Sequence, residues 1–421
     1  MFLTPQKIQR KKNKTSVKKS VKKIFSFFLI GDKVKLTKKN TVPTQKKQQF
    51  YSSATKSRLS VIQKTGGIMS LTVDPKKMLE LESLIFQKSG LKKEEADTVA
   101  DNLVQAEMRG IHSHGLIQTE NYSKLMRAKK INSHSQIKIV QDGPGTTVFD
   151  ADHAPGSVAG KIAMAKTIEK AKKNGVAITT VRNATHFGFA AYYAMEALPE
   201  NMIGMAFTST GLAVAPFGGY DKVLGTNPIC VAVPAGKKRP IVFDAATSNV
   251  AFNKIFFAYT EGKSIPDDWA LTKDGKTTTN PADVITGGGP QLPFGGYKGY
   301  GLDLIVFIMT TLLSGTSVLD GQGDTTAECT DKIGYNFAAI DISRFTDIES
   351  FKQNIDITIE RIKNSQKREG VQEIFVPGEI EYNNHERQTK EGLFISDGIA
   401  GKIRSALEQT GITAKLEDIA I

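Results

Sequence analysis

The chain has 421 residues, 40% hydrophobic and 24% charged, which is ordinary for a globular protein and enough to bury a large core. Its formal charge of +13 suggests nucleic acid, but residues 1–68 hold 18 Lys/Arg against one acid, Asp32, a net of +17. The remaining 353 residues hold 38 bases and 42 acids, a net of −4, so a polyanion surface would have to lie in the extension or be a local feature of the body.

Two cysteines, Cys230 and Cys329, are too few for a disulfide framework or a zinc site and suit a reducing compartment. The longest apolar run near the start, Ile24 to Ile30, is too short to span a bilayer. Residues 1–68 are rich in Lys, Ser, Thr and Gln and lack sustained apolar periodicity, so they read as a disordered extension. Three readings of it stand: an organellar, mitochondrial-type targeting peptide, an untargeted extension of a cytoplasmic protein, or an over-extended gene model whose true start is Met69.

From Asp74 the pattern becomes regular. Asp74-Pro75 caps a helix that Gly90 closes, and Ala96, Val99, Ala100, Leu103 and Val104 mark a second helix ending near Gly110. Ile137–Val140 and Thr147–Phe149 flank Asp142-Gly143-Pro144-Gly145 and read as a strand pair. A helix over 156–173, a strand over 176–181 and a helix after Gly188 follow, then strands over 203–208, 229–233 and 241–243. Residues 302–313 read as a buried apolar helix, 336–340 as a strand, 348–362 as an amphipathic helix and 400–409 as the last helix. Helices at both ends around a mixed centre predict an α+β fold. Its helical domain comprises 69–141 and 297–421, and its central α+β domain 142–296.

No G-x-G-x-x-G follows a strand and no Walker-type loop is present, so any dinucleotide binds without the standard Rossmann fingerprint. His112 and His114 lie in Arg109-Gly110-Ile111-His112-Ser113-His114-Gly115, directly after a helix. His186 lies where a strand meets the next helix, a common place for catalytic groups. Histidine is the side chain best matched to acid–base work near neutral pH. No third ligand or paired carboxylate supports a metal at His112 and His114. Lys298, in a run of glycines before the apolar helix, suggests a nearby anion, with a solvated surface lysine as the competing reading.

Eight segments in order resemble the malate/L-lactate dehydrogenase family that is unrelated to the Rossmann enzymes. They are residues 109–115, Thr185-His186-Phe187-Gly188, Pro216-Phe217-Gly218-Gly219, Gly225-Thr226-Asn227-Pro228, residues 243–248, residues 264–267, residues 297–302 and Val376-Pro377-Gly378-Glu379. That family also holds ureidoglycolate and sulfolactate dehydrogenases and cyclic imine-acid reductases. The resemblance implies hydride transfer between NAD or NADP and a small 2-hydroxy or 2-keto acid, of malate or lactate type, in a homodimer or larger assembly. It implies His186 as the acid–base residue, with Ser113, His114 and Lys298 beside the substrate. Thr210, Asp244, Ala245, Ala246, Gly378 and Glu379 would contact the cofactor. Two departures stand out: Gln118 replaces an arginine that can clamp the substrate carboxylate, and Gly321–Lys332 is unusually polar. A different function class, polyanion binding through the basic tail, rests on the extension alone.

Overall fold

The computed structural model describes residues 71–316 and 333–421; the extension and the stretch Gly321–Lys332 lie outside the described residues. After strand β1 (Leu71–Val73), the Asp74 carboxylate accepts the Lys76 and Lys77 N–H groups at 2.8 and 3.2 Å. This opens α1 (Pro75–Lys88), with proline where no N–H is needed. Helix α2 (Lys93–Met108) follows, then two short 3₁₀ turns, His112–His114 and Leu116–Gln118, and α3 (Thr119–Arg127).

The expected strand pair forms β2 (Lys138–Asp142) and β3 (Thr146–Asp150), and α4 (Gly156–Asn174) crosses over to β4 (Val176–Ala184). Short helix α5 (Ala191–Ala194) leads to β5 (Met202–Thr208), β6 (Ile229–Val233) and β7 (Ile241–Ala245). Helices α6 (Phe252–Thr260), α7 (Ala282–Ile285) and α8 (Tyr297–Phe307) precede β8 (Ile333–Asp341). Then come α9 (Ile348–Lys363), α10 (Glu379–Glu391), β9 (Leu393–Ile395) and α11 (Asp397–Thr410).

Seven strands form one mixed sheet in the order β2-β3-β4-β8-β5-β6-β7, antiparallel throughout except for the parallel pair β3–β4. Strand β8, from the C-terminal third that the sequence groups with the helices, lies at its centre. Ile333 to Ala339 are all buried, which suits a strand covered on both faces. Strand β1 pairs with β9, Leu71 opposite Ile395, and so ties the two ends of the described body together. Around that pair, Ile85, Phe86, Leu103 and Ile403 fill a core separate from the one beneath the large sheet.

The apolar stretch 302–313 departs from expectation. Helix α8 runs into a π-helical turn, Ile308–Leu312, and its large apolar side chains are exposed, Ile305 at 52% and Leu313 at 56%. A helix apolar on every side needs two covering surfaces, and its own chain covers only the side with Asp303, Val306 and Thr310.

Candidate active site

Strands β4, β5 and β7 point the same way, so their C-terminal ends share one end of the sheet. From β4 to β7 that row spans four strand spacings, about 19 Å. His186 follows β4, Thr210 follows β5, and Asp244, Ala245 and Ala246 end β7. The Val242 N–H donates to the Pro377 carbonyl at 3.0 Å, setting Gly378 and Glu379 beside β7. A row of that length suits an extended dinucleotide better than a small acid alone.

His186 is half-buried on a rigid base. Its neighbour Phe187 stacks on Tyr193 and Tyr335, each at 4.8 Å between centroids, all three fully buried. The His186 ring stacks on His114 with centroids 5.3 Å apart and planes 19° apart. The Tyr122 hydroxyl on α3 hydrogen-bonds Nδ1 of His186, and Ser113 Oγ lies 2.7 Å from Nδ1 of His114. Desolvation in this setting, and for His186 also the neighbouring His114, pushes His186 down to about 3, and desolvation pushes His114 down to about 4. Both rings are therefore neutral at pH 7, the state a general base requires.

The Ser113–His114 turn is held from beneath by Gln118 and by two buried groups that sequence patterning did not single out, Glu107 and Glu82. Glu107 accepts the Leu116 N–H at 3.1 Å and bonds Nδ1 of His112, which raises the pKa of that imidazole. Thr119 donates to both oxygens of Glu82 at 2.9 Å. Gln118 Nε2 donates to the Ser113 carbonyl at 3.0 Å, so this amide braces the turn. Tyr122 was also missed, because its contact with His186 spans 64 positions and no element was expected over 119–127.

Glu82 carries its own prediction. Burial pushes it from 4.5 up to about 8, opposed by the Thr119 hydrogen bond and aided by the Glu107 charge. Between those values the folded chain binds a proton that the unfolded chain has lost, so stability falls as pH rises through that window. Glu82→Gln cannot ionise and should raise Tm more at pH 8 than at pH 5. An equal shift at both pH values would mean that Glu82 is ionised in the fold.

The remaining expected residues are more scattered. Thr210 Oγ1 accepts the Thr226 N–H at 2.7 Å, and its own N–H donates to Asn227, which in turn donates to buried Asp303 at 2.6 Å. Asp244 accepts the Ala191 N–H at 2.7 Å. Glu379 is engaged by Lys363 and the Val376 N–H, so its carboxylate braces α10. Lys298 is exposed, with Nζ 5.9 Å from the Tyr297 ring, and makes no hydrogen bond or ion pair among the described residues. The structure therefore joins Ser113, His114 and His186 directly, and Lys298 makes no hydrogen bond to any of the three.

The fold is shared with solved dehydrogenases. The chain matches sulfolactate dehydrogenase from Methanocaldococcus jannaschii with a TM-score of 0.75 at 38% identity, covering 83% of this chain and 99% of that one. It matches malate dehydrogenase from Entamoeba histolytica with a TM-score of 0.78 at 28% identity, covering 82% and 99%. In sequence, malate dehydrogenase from Pyrococcus abyssi is 37% identical over 335 residues, which is 78% of this chain and 92% of that protein. Residues 73–404 match the malate/L-lactate dehydrogenase family model, and the chain belongs to that family. It is thus a dehydrogenase acting on hydroxy acids. Among the described residues no helix is long and apolar enough to cross a membrane.

Proposed function

We propose that this chain interconverts a small 2-hydroxy acid and its 2-keto acid, of malate or lactate type, with NAD or NADP. The stacked, neutral His186–His114 pair at the strand ends carries this reading. A bound nicotinamide cofactor would supply or accept the hydride; the chain supplies position and a proton path. His186 takes the hydroxyl proton in oxidation and returns it in reduction, while Ser113, His114 and Lys298 hold the oxygen and carboxylate. Thr210, Asp244, Ala245, Ala246, Gly378 and Glu379 would hold the cofactor. Acid–base assistance contributes about 10²–10⁴-fold, and orientation supplies the rest.

Gln118 favours a second reading, a substrate whose far end is neutral, as in ureidoglycolate. The amide offers N–H donors without charge, so it forms no ion pair and no bidentate fork with a carboxylate. NADH and NADPH oxidation by the full chain against a panel of 2-keto acids tests both readings, and no oxidation with any member would reject them. In the same assay Gln118→Arg should lower KM for a dicarboxylic substrate. An unchanged KM in a folded variant would mean the carboxylate is held elsewhere.

The working unit is a homodimer or larger. Phe252, Phe256 and Phe257 on α6, with Leu302, Ile305 and Leu313 on and after α8, are exposed apolar side chains of the kind that mark subunit contacts. Light scattering after size exclusion should give at least twice the 45.9 kDa chain mass; a monomer at micromolar concentration would reject this.

A further inference from the structure

We propose that Tyr122 and the Gly188 amide hold resting His186 with its proton on Nε2, so that the free enzyme presents a hydrogen-bond donor suited to a 2-keto acid. Two groups converge on Nδ1. The Gly188 N–H lies 3.4 Å away and can only donate, so it opposes a proton on Nδ1. The Tyr122 hydroxyl makes the stronger bond to the same atom from a side chain that is 4% exposed. With Nδ1 accepting, the single proton of the neutral ring sits on Nε2, which has no protein partner among the described residues.

A keto oxygen accepts from an Nε2–H, whereas a hydroxyl needs an unprotonated nitrogen to take its proton. The resting tautomer therefore favours the reductive direction. For full proton delivery His186 must first gain a second proton, on Nδ1, and become imidazolium; the Tyr122 hydroxyl then turns from donor to acceptor. Nε2 passes its proton to the substrate oxygen as hydride reaches the carbon, leaving neutral His186 with its proton on Nδ1. Return to the resting tautomer needs Nε2 to take up a proton from solvent and Nδ1 to release one, with the hydroxyl turning back to donate. The titratable groups facing His186 among the described residues are His114 from the 3₁₀ turn and Tyr122 from α3, so neither neighbour supplies a negative charge at neutral pH. Tyr122 is a positioning residue: it acts through His186 and touches no reacting atom.

This inference rests on His186 being the acid–base residue, but its first test needs no turnover. In the full chain labelled with ¹⁵N-histidine, ring nitrogen shifts report the tautomer directly, and loss of a signal in His186→Asn assigns it. The expected result is a protonated Nε2 and an unprotonated Nδ1; the reverse pattern overturns the proposal. If the tautomer is as expected while His186→Asn stays active, the functional reading fails and the tautomer assignment survives. In Tyr122→Phe the His186 tautomers should mix. The reductive kcat should fall about tenfold, the low end for a hydrogen bond to a charged group, with KM little changed. The limb on which the reductive rate falls as pH rises should move to lower pH, because the imidazolium loses its acceptor. An unmoved tautomer and pH profile in a folded Tyr122→Phe variant would also overturn the proposal.

Discussion

His186→Asn is expected to cut turnover at least about a hundredfold, the low end of acid–base assistance, while leaving cofactor affinity nearly unchanged. Asparagine keeps a polar group of similar reach but cannot exchange a proton near neutral pH. The backbone around it is fixed by the Phe187 stack and by Gly156, where a Cβ would lie 2.3 Å from the His186 carbonyl, so the substitution should not move the strand end. A pH signature accompanies the rate. The folded ring resists protonation down to about 3, whereas the unfolded ring binds a proton near its ordinary 6.5. Stability of the natural chain should therefore fall as pH drops below 6.5, and His186→Asn should flatten part of that slope. Steady-state rates and Tm between pH 5 and 8 check both claims. Near-normal turnover would remove His186 from the role.

Gly188→Ala should be a severely damaging single-methyl change near the site. Gly188 sits at φ +80°, a conformation that costs an L-residue about 1–2 kcal/mol. Its Cβ would also fall 1.9 Å from Oδ1 of buried Asn102. Overpacking of that kind adds about 1–3 kcal/mol, so the total loss should be about 2–5 kcal/mol. Because Gly188 is two residues from His186 and its N–H faces Nδ1, kcat should fall with stability. Asn102 provides a control, since neither polar atom of its side chain has a hydrogen-bond partner among the described residues. Asn102→Ala in the Gly188→Ala background should recover the steric share and leave the backbone share. Thermal melts of the two single variants and the double variant measure this coupling, and strict additivity would show that the two side chains do not compete for space.

The sequence by itself determined the local elements, because their causes are local. Asp74-Pro75 and Gly90 bound α1, and 229–233 matches β6 residue for residue. The histidine segments and the family were also legible, since glycines and histidines at fixed spacing survive without knowledge of packing. Tertiary structure decided what lies beside what. Strand β8 became central because its buried run required partners on both edges, and pairing partners across more than 120 positions leave no local trace. Tyr122 met His186 because α3 packs the 3₁₀ turn against the end of β4. Residues 302–313 carried the right apolar signal with two outcomes, core or outer face, and only packing separates them. Hydrophobicity states that a surface must leave water; the fold determines which surface covers it.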